Sequence, residues 1–169
     1  MGILWSEFVI EAGELASEIS GVIERYRFAL IGNIRRDGTP RISPVETHVV
    51  DHDLAVVMLP QTRKAEDVRR DERVTLQSPI TNAADPGAEY KLRGRGVTVN
   101  SDAHRQAIAD AVDGRVCPCP SRSALDRRLT FSVSLVSVCA LGLTPRRVCP
   151  MLPEPRPRPH PKSGCGGSP

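Results

Sequence analysis

The chain has 169 residues, of which 40% are hydrophobic and 25% are charged, a size and composition typical of one folded domain with or without a tail. Its longest weakly polar run, Phe131 to Leu143, is shorter than the ~20 apolar residues of a membrane-spanning helix, so no membrane span is predicted. The net charge of +3 conceals two regions, because fourteen basic and eighteen acidic residues precede Arg115, whereas nine basic and two acidic residues occupy the rest.

The first 25 residues are predicted to form an amphipathic helical segment that packs on a sheet. Apolar residues recur there at intervals of three and four, with glutamates between them. Gly13 is a predicted break between two shorter helices, because glycine weakens a helix interior. Met1 to Ser6 lacks the charged and apolar regions of a secretory signal, so the sequence predicts a cytoplasmic protein.

The next segments alternate with a period near two, which is typical of β-strands. Phe28 to Ile34 and Arg41 to Val50 are predicted strands, and Asp37-Gly38 supplies the hairpin turn between them. Leu54 to Leu59 is a third predicted strand, which Pro60 ends. Together these strands are expected to form an antiparallel meander.

Short helices and further strands are predicted to complete the domain, residues 26–142. One helix is expected from Lys64 to Arg70, and another from Ala103 to Val112, which Ser101 would cap. The remaining predicted strands are Val74 to Ser78, Tyr90 to Val99 with bulges at Gly94 and Gly96, and Leu129 to Leu141. Five or six short antiparallel strands predict a mainly β fold, a closed or nearly closed barrel without exposed strand edges.

The C-terminal region has a different composition from the predicted barrel. Residues 143–169 are rich in proline and arginine and are predicted to be a disordered tail that does not bind nucleic acid, since no aromatic residue follows Phe131. All five cysteines lie from Cys117 onward, and their odd number and spacing predict neither a disulfide framework nor a metal site. The abrupt change also suggests the hypothesis that a reading-frame change altered the sequence after Val112.

The candidate chemical site is the segment Gln61 to Val68, in which Thr62, Arg63 and Lys64 stand between a strand and a helix. An arginine fork, a lysine charge and the N–H groups of a helix start suit a phosphate group. A solvated helix start with ordinary surface charges explains the same residues, and both interpretations stay open for this segment alone. The sequence has no serine elbow, P-loop or His-Glu-x-x-His motif, so hydrolase, kinase or zinc-protease chemistry is not predicted.

Four segments in this order resemble the pyridoxamine phosphate oxidase-like family of flavin-binding split β-barrels, over about Tyr26 to Val99. The segments are Asp37 to Val45, Leu54 to Leu59, Thr62 to Val68 and Arg69 to Leu76. The resemblance implies an antiparallel split barrel that binds FMN or the deazaflavin coenzyme F420. It also implies that the ring or its ribityl chain contacts Arg41, Ile42, Ser43 and Pro44. Val57 and Met58 would flank the ring, and the phosphate would contact Thr62, Arg63 and Lys64.

Two departures from the family limit the expected reaction. Glu46 stands where the vitamin B6 oxidase has a substrate-binding lysine, and the C-terminal arginine- and tryptophan-containing motif of that enzyme has no counterpart. The resemblance therefore implies a homodimeric flavin- or deazaflavin-dependent oxidoreductase that transfers hydride to or from a small organic substrate other than vitamin B6 phosphate. A non-catalytic split-barrel dimer that binds or senses a flavin or haem is the alternative, and no catalytic residue is predicted.

Overall fold

The chain folds into a six-stranded antiparallel barrel with flanking helices, and this computed structural model describes residues 2–80, 89–113 and 129–141. The predicted mainly β split barrel is confirmed. In chain order the elements are α1 (Trp5–Glu11), α2 (Gly13–Tyr26), β1 (Phe28–Ile34), β2 (Pro40–Val50), β3 (Asp53–Met58), α3 (Arg63–Arg70), β4 (Arg73–Gln77), β5 (Glu89–Thr98), α4 (Asp102–Asp113) and β6 (Leu129–Leu141).

The strands close into a barrel in the order β1-β2-β3-β6-β5-β4. Strands β1 to β3 form the predicted meander, whereas β6 is the last strand in sequence and lies between β3 and β5. It pairs with β3 through Val57 and Thr130, and with β5 through Gly94 and Leu135. Because each strand has a neighbour on both sides, the described barrel has no open edge for another chain to extend.

Two tight turns connect the three strands of the meander, and each contains residues with a positive φ angle. Gly38 has φ 85°, and the backbone N–H of Thr39 donates to Asp37 Oδ1 at 2.9 Å. The hydrogen bond from the Thr39 hydroxyl to the same carboxylate contributes most to lowering the pKa of Asp37. In the turn from β2 to β3, Asp51 and His52 have φ values of 49° and 63°, the geometry of a two-residue hairpin.

The N-terminal helices cover the barrel, as the amphipathic pattern predicts. Helix α1 ends at Glu11 and α2 begins at Gly13, so the predicted break is confirmed. Trp5 and Phe8 of α1 and Ile19 and Ile23 of α2 are almost fully buried and join the main core inside the barrel. Helix α4 packs elsewhere, where its Ile108 and Val112 contact Ala55 and Val57 of β3.

The two glycines of β5 have different roles. The pairing of β5 with β6 shifts register between Arg93 and Gly94, and the extra residue is Val136 of β6, so the bulge predicted at Gly94 lies on the opposite strand. Gly96 is not at a bulge, since it pairs regularly with Val133. A Cβ at Gly96 would lie 3.0 Å from Val68 Cγ1, so the absence of a side chain there instead lets α3 pack closely on β5.

Several predictions fall outside the described residues, among them the tail 143–169, its expected disorder and all of the cysteines except the backbone position of Cys139. The hypothesis of a reading-frame change also concerns residues that are mostly outside this set. Within the described ranges, no helix is both long and apolar enough to cross a membrane. No group of three potential metal ligands occurs there either.

Candidate functional site

The predicted phosphate-binding segment lies where the chain leaves β3 and begins α3. Thr62 has an extended backbone and precedes the first helical residue, Arg63. Its hydroxyl donates to the carbonyl oxygen of Leu59 at 2.7 Å, which holds the turn and leaves the helix without a side-chain cap. The N–H groups of Ala65 and Glu66 donate to the carbonyl oxygen of Thr62, at 3.0 and 3.1 Å. The start of α3 therefore presents the N–H groups of Arg63 and Lys64, together with their basic side chains, to an anion.

Lys64 lies at one end of a cleft of about 410 Å³ between the barrel and α3. Its Nζ donates to the carbonyl oxygen of Pro44 on β2. Four of the residues predicted from the family resemblance line this cleft, namely Pro44, Val57, Met58 and Lys64. Phe28 of β1 and Glu46 of β2 line it as well, so the cleft has mainly apolar walls and one charge of each sign among these residues.

The two basic side chains lack a carboxylate partner within the part of the chain that the structure describes. Lys64 is half-buried, and burial lowers the pKa of its amino group. Arg63 is exposed, and no described acidic side chain is within ion-pair distance of either residue. A phosphate group bound at this position would offset the cost of burying the lysine charge.

Arg41 is held by an acidic residue of α3. Its Nε donates to Asp67 Oδ2 at 2.7 Å, and Arg70 donates to the other oxygen of the same carboxylate at 2.8 Å. Arg70 also donates to the carbonyl oxygen of Ile34. Burial acts to raise the pKa of Asp67, but the hydrogen bonds and charges of Arg70 and Arg41 lower it overall.

The structure therefore separates the predicted site residues into groups. Pro44, Val57, Met58 and Lys64 share the cleft, whereas Arg41 and Ile42 line a second cavity of about 770 Å³. Neither cavity is lined by Ser43, Thr62 or Arg63, although Thr62 and Arg63 directly precede Lys64 in the sequence. Arg41 is held away from the cleft by its hydrogen bond to Asp67 of α3, whereas Pro44 accepts the hydrogen bond of Lys64 at the cleft.

Several residues of this region were not among the predicted site residues, including Val45 and Glu46, which line the cleft. Phe28 and Leu59 line the cleft with 40% and 58% of their surfaces exposed, and Asp67 anchors Arg41 from a nearly buried position. The residues Phe28 and Leu59 look like ordinary strand residues in the sequence, because solvent exposure at a strand end depends on packing. Asp67 follows another acidic residue in a highly charged helix, and no local signal shows which of the two points inward.

Solved structures share this fold at low sequence identity. A candidate pyridoxamine 5′-phosphate oxidase from Listeria innocua is 13% identical with a TM-score of 0.60, over 76% of this chain and 98% of that protein. An F420 reductase is 18% identical with a TM-score of 0.51, over 71% and 94% of the two chains. A heme-binding protein from Mycobacterium smegmatis is 13% identical with a TM-score of 0.57, over 76% of this chain and 54% of that one.

The sequence comparisons add no closer relative, since no protein-family model and no curated protein sequence matches the chain. The structural likeness establishes that the chain has the split-barrel fold of pyridoxamine phosphate oxidase-like proteins. Proteins with this fold include binders of different cofactors, so the fold alone does not define a reaction.

Proposed function

We propose that this chain is a cytoplasmic, homodimeric oxidoreductase that binds FMN or deazaflavin coenzyme F420 and transfers hydride to or from a small organic substrate. The observation that carries the proposal is the pair of cations without carboxylate partners, Arg63 and Lys64, beside an apolar cleft of a split barrel. An apolar surface with an adjoining anion site matches a cofactor that has a flat ring and a phosphate.

Each side of the cleft has a role in this proposal. Lys64 and Arg63 bind the phosphate with charge-assisted hydrogen bonds, and Thr62 holds the turn that positions them. Phe28, which is 40% exposed, contacts the ring, and Val57 and Met58, each 4% exposed, form the buried wall of the cleft that excludes water from one face of the ring. When bound, the cofactor supplies hydride transfer, while the protein orients it and sets the electrostatic field around it.

The side chains of the cleft favour a flavin over a haem. Haem iron in proteins takes its axial ligands from histidine, cysteine, tyrosine or methionine. The described lining residues of the cleft include none of the first three, and the one methionine, Met58, is 4% exposed and packs in the main core. The alternative of a non-catalytic haem sensor therefore has less support from these residues than a flavin site has.

The exposed apolar residues at the cleft support a second subunit in the proposal. Leu59 and Phe28 remain partly open to water in one chain, and a second copy would cover them. A two-fold dimer is the commonest closed assembly. Sedimentation of the purified protein is expected to give about twice the chain mass of 18.4 kDa.

Cofactor titration of the purified full chain tests the site. FMN and coenzyme F420 are each titrated against the wild type, Arg63→Ala, Lys64→Ala and the double variant, with cofactor fluorescence as the signal. Losing one charge-assisted hydrogen bond is worth roughly 1.5 to 3 kcal/mol, so each single variant is expected to raise the Kd by about tenfold or more for the cofactor that binds. Arg36→Ala is the control, because this exposed turn residue carries the same charge outside both cavities.

The outcomes separate binding from catalysis. If the affinity for both cofactors is the same in the wild type and in the double variant, the site assignment is wrong. If the cofactor binds but its reduced form passes hydride to no tested enone, nitroarene or heterocyclic acceptor faster than free cofactor does, the non-catalytic alternative replaces the enzyme.

A further inference from the structure

The cavity of about 770 Å³ lies on the outer face of β1, β4 and β5, apart from the candidate cofactor cleft. Gly32 lines it without a side chain, and an added Cβ there would meet nothing closer than the carbonyl oxygen of Thr75 at 3.7 Å. Leu30 and Ile42 stand beside it with 36% and 73% of their surfaces exposed. The cavity therefore has room for an apolar group and apolar side chains to contact it.

The charges around this cavity are of one sign. Among the described residues that line it there is no aspartate or glutamate, and five are basic, namely Arg41, Arg73, Lys91, Arg93 and Arg95. This contrasts with the chain before Arg115, where acidic residues outnumber basic ones. The basic character is therefore a local property of this surface, and it is the opposite of the average for the barrel region.

Three of the five basic residues are already paired with acidic ones. Arg41 pairs with Asp67, Arg73 with Asp71, and Arg95 with Glu72. Lys91 and Arg93 have no carboxylate partner within the described part of the chain. The uncompensated positive charge is consequently concentrated at one end of the cavity.

The positions of Lys91 and Arg93 suit a shared anion. They are successive exposed residues on the outer side of β5, so their Cα atoms are roughly 7 Å apart. Across the sheet, Lys91 pairs with Gln77 and Arg93 pairs with Thr75, which add an amide and a hydroxyl donor to the same surface. An oxyanion between the two cations has charged donors on both sides and neutral donors beside them.

We propose that this cavity is a binding site for an organic anion, a molecule with an apolar body and a carboxylate, sulfonate or phosphate group. The apolar body lies over Gly32 and contacts Leu30, and the anionic group lies between Lys91 and Arg93. This site is independent of the proposed cofactor site and does not require that site to bind a flavin.

The probe that tests it is 8-anilinonaphthalene-1-sulfonate, an aromatic sulfonate whose fluorescence rises on binding. The wild type is expected to bind it saturably, and a Lys91→Gln, Arg93→Gln double variant to bind it at least about tenfold more weakly. Gly32→Val is expected to weaken binding similarly, since valine suits a strand and its side chain fills the floor of the cavity. The uncharged analogue N-phenyl-1-naphthylamine is expected to bind the wild type more weakly than the sulfonate does.

Two control variants separate this site from the rest of the surface. Arg25→Gln removes an exposed charge from α2 and is expected to leave the affinity for the sulfonate unchanged. Arg36→Gln removes an exposed charge from a turn outside both cavities and is also expected to leave the affinity unchanged. Circular dichroism confirms that each variant is folded, and if Gly32→Val does not fold, the double charge variant decides the question.

Three results would overturn the proposal. One is an unchanged affinity for the sulfonate in the double charge variant. Another is a change in sedimenting mass of that variant with no change in affinity, which would assign the face to a contact between copies. The third is charge-dependent binding to phosphatidylglycerol vesicles with no saturable binding of the soluble sulfonate, which would assign it to a membrane surface.

Discussion

Asp67 connects the strand that carries Arg41 to the helix that begins with Arg63 and Lys64. Its two carboxylate oxygens accept hydrogen bonds from Arg41 and Arg70, and its side chain is 7% exposed. Because α3 also carries the basic pair, this network sets the orientation of the helix relative to β2. Asp67 is thus a positioning residue for the candidate phosphate site, which it does not line.

Asp67→Asn tests this connection. The variant is expected to lose about 1 to 3 kcal/mol of unfolding free energy at neutral pH, since two charged hydrogen bonds weaken but both arginines are partly open to water. Denaturant titration measures the loss. Cofactor affinity should fall as well if the orientation of α3 matters for binding, whereas a purely structural role would leave the affinity unchanged.

The same residue predicts a pH dependence. The pKa of Asp67 is lower in the folded protein than in the unfolded chain, so its stabilising effect is present above about pH 4 and is lost as the pH falls through the lowered value. As the pH falls below about 4, the wild type is expected to lose more stability than Asp67→Asn does. Parallel stability curves for the two proteins in this range would contradict the assignment.

At the level of elements, the pairing of β5 with β6 depends on a glycine. A Cβ at Gly94 would lie 2.1 Å from the carbonyl oxygen of Ser134, a distance that the backbone of β6 does not permit. The register shift at Arg93 and Gly94 is what brings these backbones so close. The closing strand of the barrel is therefore held in place at a position where only glycine fits.

Gly94→Ala is expected to destabilise the fold by more than about 3 kcal/mol, because one strand must move and lose pairing. Gly21→Ala is the matched control, since the same change in the exposed interior of α2 meets nothing within 4 Å and should stabilise the helix by up to about 1 kcal/mol. Thermal unfolding of both variants measures the contrast. A Gly94→Ala protein as stable as the wild type would show that β5 and β6 are not this close.

At the level of the whole molecule, the barrel depends on a strand that is far from its neighbours in sequence. Strand β6 pairs with both β3 and β5, and its Phe131, Val133 and Leu135 are buried in the main core. Without β6, the adjoining strands would each have an unpaired edge and the core would lose three large side chains. The loss exceeds what a domain with ~5 to 15 kcal/mol of net stability can tolerate.

Two truncated chains test this dependence. A chain that ends at Arg128 is expected not to fold, as judged by circular dichroism and denaturant titration. A chain that ends at Gly142 keeps β6 and is expected to unfold with the same free energy as the full chain, because residues 143–169 are predicted to be a disordered tail. A marked loss of stability in the longer truncation would show that the tail packs on the domain.

Much of the local structure was predictable from the sequence because its causes are local. The period of apolar residues marked the helices and strands, and Asp37-Gly38 marked a turn that needs a positive φ. The helix break near Gly13 and the basic pair at the start of α3 were also predictable. The proposed anion site, a cluster of donors after the third strand, was predictable because its residues lie along one short segment.

Only the tertiary structure decided which distant residues meet. Three features bring together residues that are many positions apart in the sequence. Strand β6 lies between β3 and β5, and Arg41 pairs with Asp67 and so lies outside the cleft. The charged residues that line the cavity over Gly32 are all basic and come from several strands. Such contacts depend on the register and closure of the sheet, which no short stretch of sequence specifies. The sequence by itself thus determined the elements and one basic pair, whereas barrel closure determined which side chains share a cavity.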